Sequence, residues 1–413
     1  MSPILISLAG IVLILAVAVL ASTDRRRIRL RVVGPAFLLQ AAIAVFVLYV
    51  PAGQAAIHGA ASGVETVLGY SRAGIEMVFG GLTQVNGVAS LAINVLPIII
   101  FFSALVSVLY YLGIMQLVVR IVGGFLQKVL GVDRVEAFYA AANILVGQSE
   151  SPLVVRGYLH ALTQPQVFAL MVTGMAGVAG SILAAYAQMG VRIEYLLAAA
   201  FMSAPGGLLM AKLLMPDGSR ETPLAEVAAA SAPPPEERPA NIIMAIFNGT
   251  EDGVKLAVAV ASMLVVFVAF IALLNGLLGG IAGMFGYPDL TFQKILGVIF
   301  APVMFLLNVP WSEAGKAGEL FGQKLILNEF VAYLDFGKMK STLTPHTEAV
   351  VTFALCGFAN ISSIAIQMGV LGGLAPEKRP LIAQMGPRAV LGGSLANLMS
   401  AALVSLILTL AGS

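Results

Sequence analysis

Charged residues and cysteines are scarce in this chain. Of its 413 residues, 59% are hydrophobic and only 11% are charged, whereas an ordinary soluble domain carries about 25% charged residues. This balance excludes a water-soluble enzyme. The single cysteine, Cys356, excludes a disulfide framework, and His58, His160 and His346 are not spaced as metal ligands. The net charge of +2 gives no indication of a nucleic-acid partner.

Long uncharged stretches predict an all-α polytopic membrane protein instead. A bilayer core about 30 Å thick needs about 20 apolar residues in helical form. A ninth, weaker segment at 291–309 contains Pro302 and ends near Trp311, which favours an interfacial or re-entrant helix. The eight stretches that meet the length requirement are 4–21, 32–50, 91–111, 166–189, 195–211, 256–285, 349–369 and 389–410.

Basic residues indicate the orientation. Five arginines follow the first span between Arg25 and Arg31, and Lys and Arg of short loops lie on the cytoplasmic side. We therefore expect the N-terminus outside. A cleaved signal peptide is disfavoured because its positive charges would precede the apolar stretch. Segment 216–240, which contains Pro233 and Pro235, is predicted to be a flexible cytoplasmic linker.

Two further regions, 135–159 and 312–336, carry carboxylates within apolar sequence. Each reaches a polar tip, GQSESP or LNEF, and then returns in a short apolar stretch. This pattern predicts re-entrant hairpins, since non-helical backbone at membrane depth requires a protein-lined or wet cavity. Glu136 of the first region recurs as Glu313, 177 residues later. Three crossings separate the copies, so we predict an inverted repeat, as in secondary transporters.

The hairpin tips supply two intramembrane carboxylates, Glu150 and Glu329. Each costs roughly 2.5–3.5 kcal/mol unless paired, so both are candidates for function. Carboxylates accept hydrogen bonds and amides both donate and accept, which suits a neutral ligand such as a nucleoside, with Phe358 packing on its rings. No Lys or Arg falls in the set, which disfavours a phosphorylated substrate. The other polar members are Gln148, Ser149, Asn328, Asn360, Ser362 and Ser363.

Simpler interpretations exist for the same residues. Each glutamate is also compatible with a structural cap or an ion pair, for instance to Arg156 or Lys324. Gly174, Gly177 and Gly180 are typical of close helix packing. An intramembrane enzyme with the two glutamates as acid and base lacks a supporting motif. A channel suits paired hairpins with a substrate-sized polar set less well than alternating access does.

At these motifs the sequence resembles the concentrative nucleoside transporters. The GQSESP tip, the NEFVAYLDF segment and the ALCGFANISSIAIQMG span occur in the order and spacing of bacterial members. The resemblance implies eight transmembrane helices, two re-entrant hairpins and a homotrimer embedded in membrane lipid. It also implies an elevator-like movement that imports a nucleoside such as uridine with a cation across the bacterial cytoplasmic (inner) membrane. No other cofactor is expected.

The resemblance also implies residue roles. Gln148, Ser149, Glu150 and Ile182 would face the nucleobase. The ribose would bind to Glu329, Asn360 and Ser363, with Phe358 nearby. The cation would bind backbone oxygens of Asn143 and Val146 and the break at Gly177 and Val178.

Domain boundaries follow from the same comparison. Scaffold helices precede the first repeat, and a linker, one further scaffold helix and an interfacial segment separate the repeats. In that order the expected ranges are 1–130 (scaffold), 131–214 (first transport repeat), 215–251 (linker), 252–285 (scaffold helix), 286–311 (interfacial) and 312–413 (second transport repeat).

Gly177 departs from the family pattern. Sodium-coupled relatives tend to have a hydroxyl side chain there, and a hard cation prefers several oxygen ligands. Sodium is the favoured coupling ion, with backbone oxygens or water replacing the missing ligand. Protons, carried by a carboxylate such as Glu150, are the alternative. Ser149 stands where Thr is common and keeps the hydroxyl. The sequence does not indicate a preference for purine or pyrimidine.

Overall fold

The computed structural model describes residues 2–80, 82, 91–218, 239–287 and 289–412. Within these ranges the chain consists of α-helices, short 3-10 turns and connecting loops, without a β-strand. The helices are α1 Pro3–Leu20, α2 Leu30–Leu48, α3 Pro51–Phe79, α4 Leu96–Tyr111, α5 Ile114–Leu130, α6 Arg134–Val146, α7 Ser151–Val154, α8 Gln164–Ala176, α9 Gly180–Gln188, α10 Ile193–Leu214, α11 Ile242–Gly283, α12 Phe292–Leu306, α13 Trp311–Ile326, α14 Glu329–Met339, α15 Pro345–Leu355, α16 Ser362–Leu374 and α17 Arg379–Ala411, and one turn, Leu91–Asn94, precedes α4.

Seven segments of the described chain are long and apolar enough to cross a membrane, or eight if one bent helix pair counts as a span. The seven coincide with seven of the eight predicted stretches. The exception is 349–369, which is divided between α15 and α16; the stretch 166–189 is also divided, between α8 and α9, but coincides with one of the seven segments. The bent pair is α12 and α13, which meet at 117°. Segment 291–309 is therefore not a simple span, and its interfacial or re-entrant position stays a prediction.

Helix α3 was missed by the search for uncharged stretches because it carries Glu65, Arg72 and Glu76. It begins at Pro51, in the first-turn position that suits proline. Only one stripe of the helix is buried, as expected for an amphipathic helix. Gly53 allows the close approach to α2, because a Cβ there would overlap the carbonyl of Phe46.

Helix α11 is longer than predicted and corrects the boundary of the linker. It begins at Ile242, whereas the linker was expected to extend to residue 251. Most of the linker, 219–238, lies outside the described residues. Gly249 and Gly253 allow α11 to lie against α4, in the manner of small-residue contacts between membrane helices. Much of its remaining apolar surface is exposed, as suits a helix in contact with lipid or another subunit.

The same succession of elements occurs twice. Helices α5 to α10 comprise an apolar helix, a hairpin, a broken span and a long helix, and α12 to α17 repeat that order. The first broken span is interrupted between Ala176 and Gly180, and the second between Leu355 and Ser362. The sequence repeat therefore corresponds to a structural one.

A buried ion pair that the sequence analysis did not anticipate links the first hairpin to α10. The Lys212 ammonium lies 2.7 Å from Oε1 of Glu136 and 2.5 Å from Oδ1 of Asp217. The Glu136 side chain is fully buried and that of Lys212 is 4% exposed. The charge of each partner is thus compensated within the protein, near the C-terminal end of α10.

Lys212→Met is expected to destabilise the protein by about 3–5 kcal/mol, because it leaves the Glu136 carboxylate buried without its partner. Lys212→Met/Glu136→Met should recover most of that loss, because the fully buried carboxylate is removed together with its partner and the remaining Asp217 side chain is 28% exposed to solvent. Thermal unfolding of the purified variants in detergent would measure both. An equal loss in the single and double variants would contradict this account of the pair.

Candidate functional site

The tip of the first hairpin follows α6. Gly147 ends this helix at φ 74° and ψ −177°, a conformation that is essentially restricted to glycine. A Cβ on Gly147 would lie 2.7 Å from Cβ of Ala179, and one on Gly180 would lie 2.7 Å from the carbonyl oxygen of Leu145. The tip is therefore packed directly against the break between α8 and α9.

The tip of the second hairpin places Glu329 at the start of α14. Asn328 caps this helix by accepting a hydrogen bond from the Val331 N–H at 2.9 Å. Glu329 is 5% exposed; its Oε1 accepts from the Tyr186 hydroxyl and its Oε2 from Nδ2 of Asn360, both at 2.9 Å. The helix N-terminus also favours a carboxylate at this position.

Asn360 lies in the second break and has two roles. Its Oδ1 accepts hydrogen bonds from the backbone N–H of Ser363 at 2.9 Å and the hydroxyl of Ser362 at 2.7 Å, which satisfies the free end of α16. Its Nδ2 remains available for Glu329. The N–H of Phe358 donates to the carbonyl of Gly177 at 3.1 Å, so the two breaks are in contact.

Hydrogen bonds continue from this break to the first hairpin. Nε2 of Gln148 donates to the Ser363 hydroxyl at 3.0 Å, and Nε2 of Gln367 donates to Oε1 of Gln148 at 2.9 Å. Gly174 leaves room for Gln148 and Gln367 to approach α8. Glu329, Asn360, Ser363 and Gln148 thus form one buried polar network, which we call the tip-to-tip network.

The other predicted nucleoside residues lie outside this network. Ile182 is buried on α9, and Phe358 is partly exposed in the second break. Ser149 is exposed and Glu150 partly exposed, and neither side chain has a hydrogen bond to the network among the described residues. Glu150 interacts electrostatically with Tyr110 of α4 and Asp252 of α11. The hydrogen bonds of this conformation connect Glu329 to the network, and a joint role of the two glutamates around a ligand stays a prediction.

Two residues near the network were missed: Tyr186 and Gln367. Tyr186 and Gln367 are flanked by apolar residues in their helices, where a sequence pattern does not distinguish them from packing residues. Lys324 was considered from the sequence as an ion-pair partner for one of the glutamates. Its ammonium nevertheless donates to the carbonyl of Ala354 at 3.2 Å and to Oδ1 of Asn397 at 2.6 Å, and it forms no ion pair with Glu329.

The residues predicted for the cation also lie close together. Nδ2 of Asn143 donates to the carbonyl of Thr173 at 2.9 Å, and Val146 and Val178 are buried. A Cβ on Gly177 would lie 2.5 Å from Nδ2 of Asn143 and 3.0 Å from the Ser203 hydroxyl oxygen. These two groups thus occupy the space that a larger side chain at position 177 would need. No cluster of three His, Cys, Asp or Glu side chains suited to a metal occurs among the described residues.

Comparisons with protein families identify the class. The family described as "Na+ dependent nucleoside transporter C-terminus" matches residues 195–405, and its N-terminal counterpart matches residues 9–82. A third family, "Nucleoside recognition", matches residues 92–192. The chain therefore belongs to the concentrative nucleoside transporter family, and it is a membrane transporter. This excludes the enzyme considered from the sequence.

Individual relatives agree over almost the full length. The chain is similar to the nucleoside permease NupC of Helicobacter pylori, with 44% identity over 98% of both chains. It is 49% identical to an uncharacterized transporter of Haemophilus influenzae, again over 98% of both chains. A solved structure of CNTnw in an inward-facing substrate-bound state has 47% identity and a TM-score of 0.95, with 99% of each chain covered.

Proposed function

We propose that this protein is a sodium-coupled symporter that imports nucleosides across the bacterial cytoplasmic membrane. The observation that carries the proposal is the tip-to-tip network, in which both hairpins and the second break meet through buried carboxylate, amide and hydroxyl groups. These groups offer acceptors and donors to a neutral, hydroxyl-rich ligand. The family and the substrate-bound CNTnw structure support the same substrate class.

The proposed nucleoside site combines the tip-to-tip network with its neighbours. Glu329, Asn360 and Ser363 hold the ribose, and Phe358 lies beside it. On the nucleobase side are Gln148, Ser149, Glu150 and Ile182. A nucleoside would exchange hydrogen bonds with groups that now bond each other, such as Gln148 with Ser363. Substrate would thereby replace internal hydrogen bonds rather than leave buried groups unpaired.

The proposed sodium site lies where the first hairpin tip meets the first break. Backbone oxygens of Asn143, Val146, Gly177 and Val178 would supply ligands, as half-helix ends and unwound carbonyls do in other transporters. The family description, which names sodium, supports this ion over the proton. Proton coupling through a carboxylate such as Glu150 is the alternative.

Transport follows an elevator-like alternating-access movement in this proposal. The two inverted repeats, 131–214 and 312–413, form the moving part, and the other helices form a scaffold within a homotrimer. The exposed apolar surface of α11 supports contacts with lipid or neighbouring subunits. The arginines after α1 support an N-terminus outside the cell.

Purified protein in liposomes tests both substrate and coupling ion. Labelled uridine is expected to accumulate above its external concentration under an inward sodium gradient, and an equal potassium gradient serves as the control. The recovered label should still be uridine. Accumulation under a proton gradient alone would contradict sodium coupling. Equilibration without accumulation under either gradient would contradict symport and favour a channel.

A further inference from the structure

Two buried side chains outside the proposed ligand sites connect the helix breaks. Lys324 of α13 is fully buried, and its ammonium donates to Oδ1 of Asn397 on α17 at 2.6 Å. Nδ2 of Asn397 donates in turn to the carbonyl of Ala176 at 2.7 Å and to that of Cys356 at 2.9 Å. One amide group therefore spans both breaks.

The carbonyls that Asn397 binds are ones that the helices leave unsatisfied. Ala176 is the last residue of α8, and Cys356 follows the last residue of α15. Carbonyls at helix C-termini have no partner within the helix, and unpaired backbone groups are costly at membrane depth. The Lys324 ammonium binds a third such carbonyl, that of Ala354, and a cation is favourable at the C-terminal end of α15.

Lys324 fixes which way the Asn397 amide faces. Because Lys324 can only donate, Oδ1 of Asn397 must point toward it, and Nδ2 must point toward the two carbonyls. Exchange of the two ends would bring the Asn397 N–H groups against the ammonium. The Asn397 side chain thus joins the two breaks in one allowed orientation, beside the direct hydrogen bond from the Phe358 N–H to the Gly177 carbonyl.

The breaks on the two sides of Asn397 belong to different ligands in the proposed function. Ala176 directly precedes the proposed sodium residues Gly177 and Val178, and Cys356 precedes Phe358 and Asn360 of the nucleoside site. We propose that Asn397, oriented by Lys324, is the positioning residue that couples sodium occupancy to nucleoside affinity. A change at one break alters the hydrogen bond that the same amide makes to the other. This inference rests on the proposed function.

The test measures how strongly sodium changes uridine affinity in nanodiscs. Linked ligands typically change each other's affinity roughly 5- to 150-fold, and we expect wild type to show such a ratio between sodium-saturated and sodium-free protein. Asn397→Asp keeps an acceptor for Lys324 but removes both amide donors. The ratio should fall close to unity in this variant, while uridine still binds without sodium. A merely structural role would instead weaken binding equally in both conditions.

A second variant of the Lys324–Asn397 pair and a matched control variant complete the test. Lys324→Met/Asn397→Leu replaces both polar groups by apolar ones of similar size, and it should also abolish the sodium effect. Gln40→Met is the matched control, because Gln40 is a buried amide that bonds Ser400 of α17 but neither break. A full wild-type ratio in both Asn397→Asp and Lys324→Met/Asn397→Leu would overturn the inference. A ratio of unity already in wild type would instead overturn the proposed sodium coupling, and this inference with it.

Discussion

Glu329→Gln is expected to lower the apparent affinity for uridine by about 10- to 100-fold, since a hydrogen bond to a charged group contributes roughly 1.5–3 kcal/mol. Both carboxylate oxygens of Glu329 accept hydrogen bonds, one from Tyr186 and one from Asn360. A glutamine would present an N–H group to one of these donors. The substitution thus removes a bond within the tip-to-tip network and the strongest acceptor for a ribose hydroxyl. Concentration-dependent uptake in liposomes measures the change.

Two other variants serve as comparisons for Glu329→Gln. Tyr186→Phe removes one donor but leaves the carboxylate and its bond to Asn360, so we expect a smaller loss of affinity. Glu319→Gln makes the same chemical change on α13 of the same hairpin, outside the tip-to-tip network, and should transport as wild type. If Glu329→Gln behaved like Glu319→Gln, the assignment of Glu329 to the nucleoside site would be wrong.

Polar residues in an apolar setting mark the tips and the second break in the sequence, whereas the first break, Gly177 to Ala179, contains no polar side chain. GQSESP and LNEF mark the two tips, and the run from Gly357 to Ser363 marks the second break. Each of these segments exchanges helical hydrogen bonds for side-chain ones, as Asn360 does when it caps α16. The residue types alone therefore indicated where the helices end in these segments.

Side-chain direction and distant partners could not be predicted in the same way. Gln148 and Glu150 are two residues apart in one tight turn, yet Gln148 bonds Ser363 whereas Glu150 interacts with Tyr110 and Asp252. Nothing in the local sequence distinguishes these outcomes. Asn397 lies between Ser394 and Ser400, each three residues away in the same helix, and nothing in that spacing marks it as a link between two breaks. Its role arises only when α8, α15 and α17 pack together.

Gly147→Ala is expected to abolish concentrative uptake. At φ 74° and ψ −177° an alanine is strained by about 1–3 kcal/mol. In addition, the new Cβ would lie 2.7 Å from Cβ and 2.9 Å from Cα of Ala179, closer than side-chain carbons approach. Relief requires the first tip to move away from the break at Gly177, which separates the proposed sodium ligands on the two sides. Uptake of labelled uridine and sodium-induced thermal stabilisation should both be lost.

Gly131→Ala separates the effect of backbone strain from the effect of steric overlap with Ala179. Gly131 also has a positive φ of 66°, but a Cβ there would meet no atom within 4 Å. Gly131→Ala is therefore destabilised only by the left-handed backbone conformation, by roughly 1–2 kcal/mol. We expect this variant to retain sodium-dependent uptake at reduced stability. If Gly147→Ala lost no more activity than Gly131→Ala, close contact between the first tip and the break would not be needed for transport. A selective loss in Gly147→Ala would show that this contact, rather than helix termination by glycine, is what transport depends on.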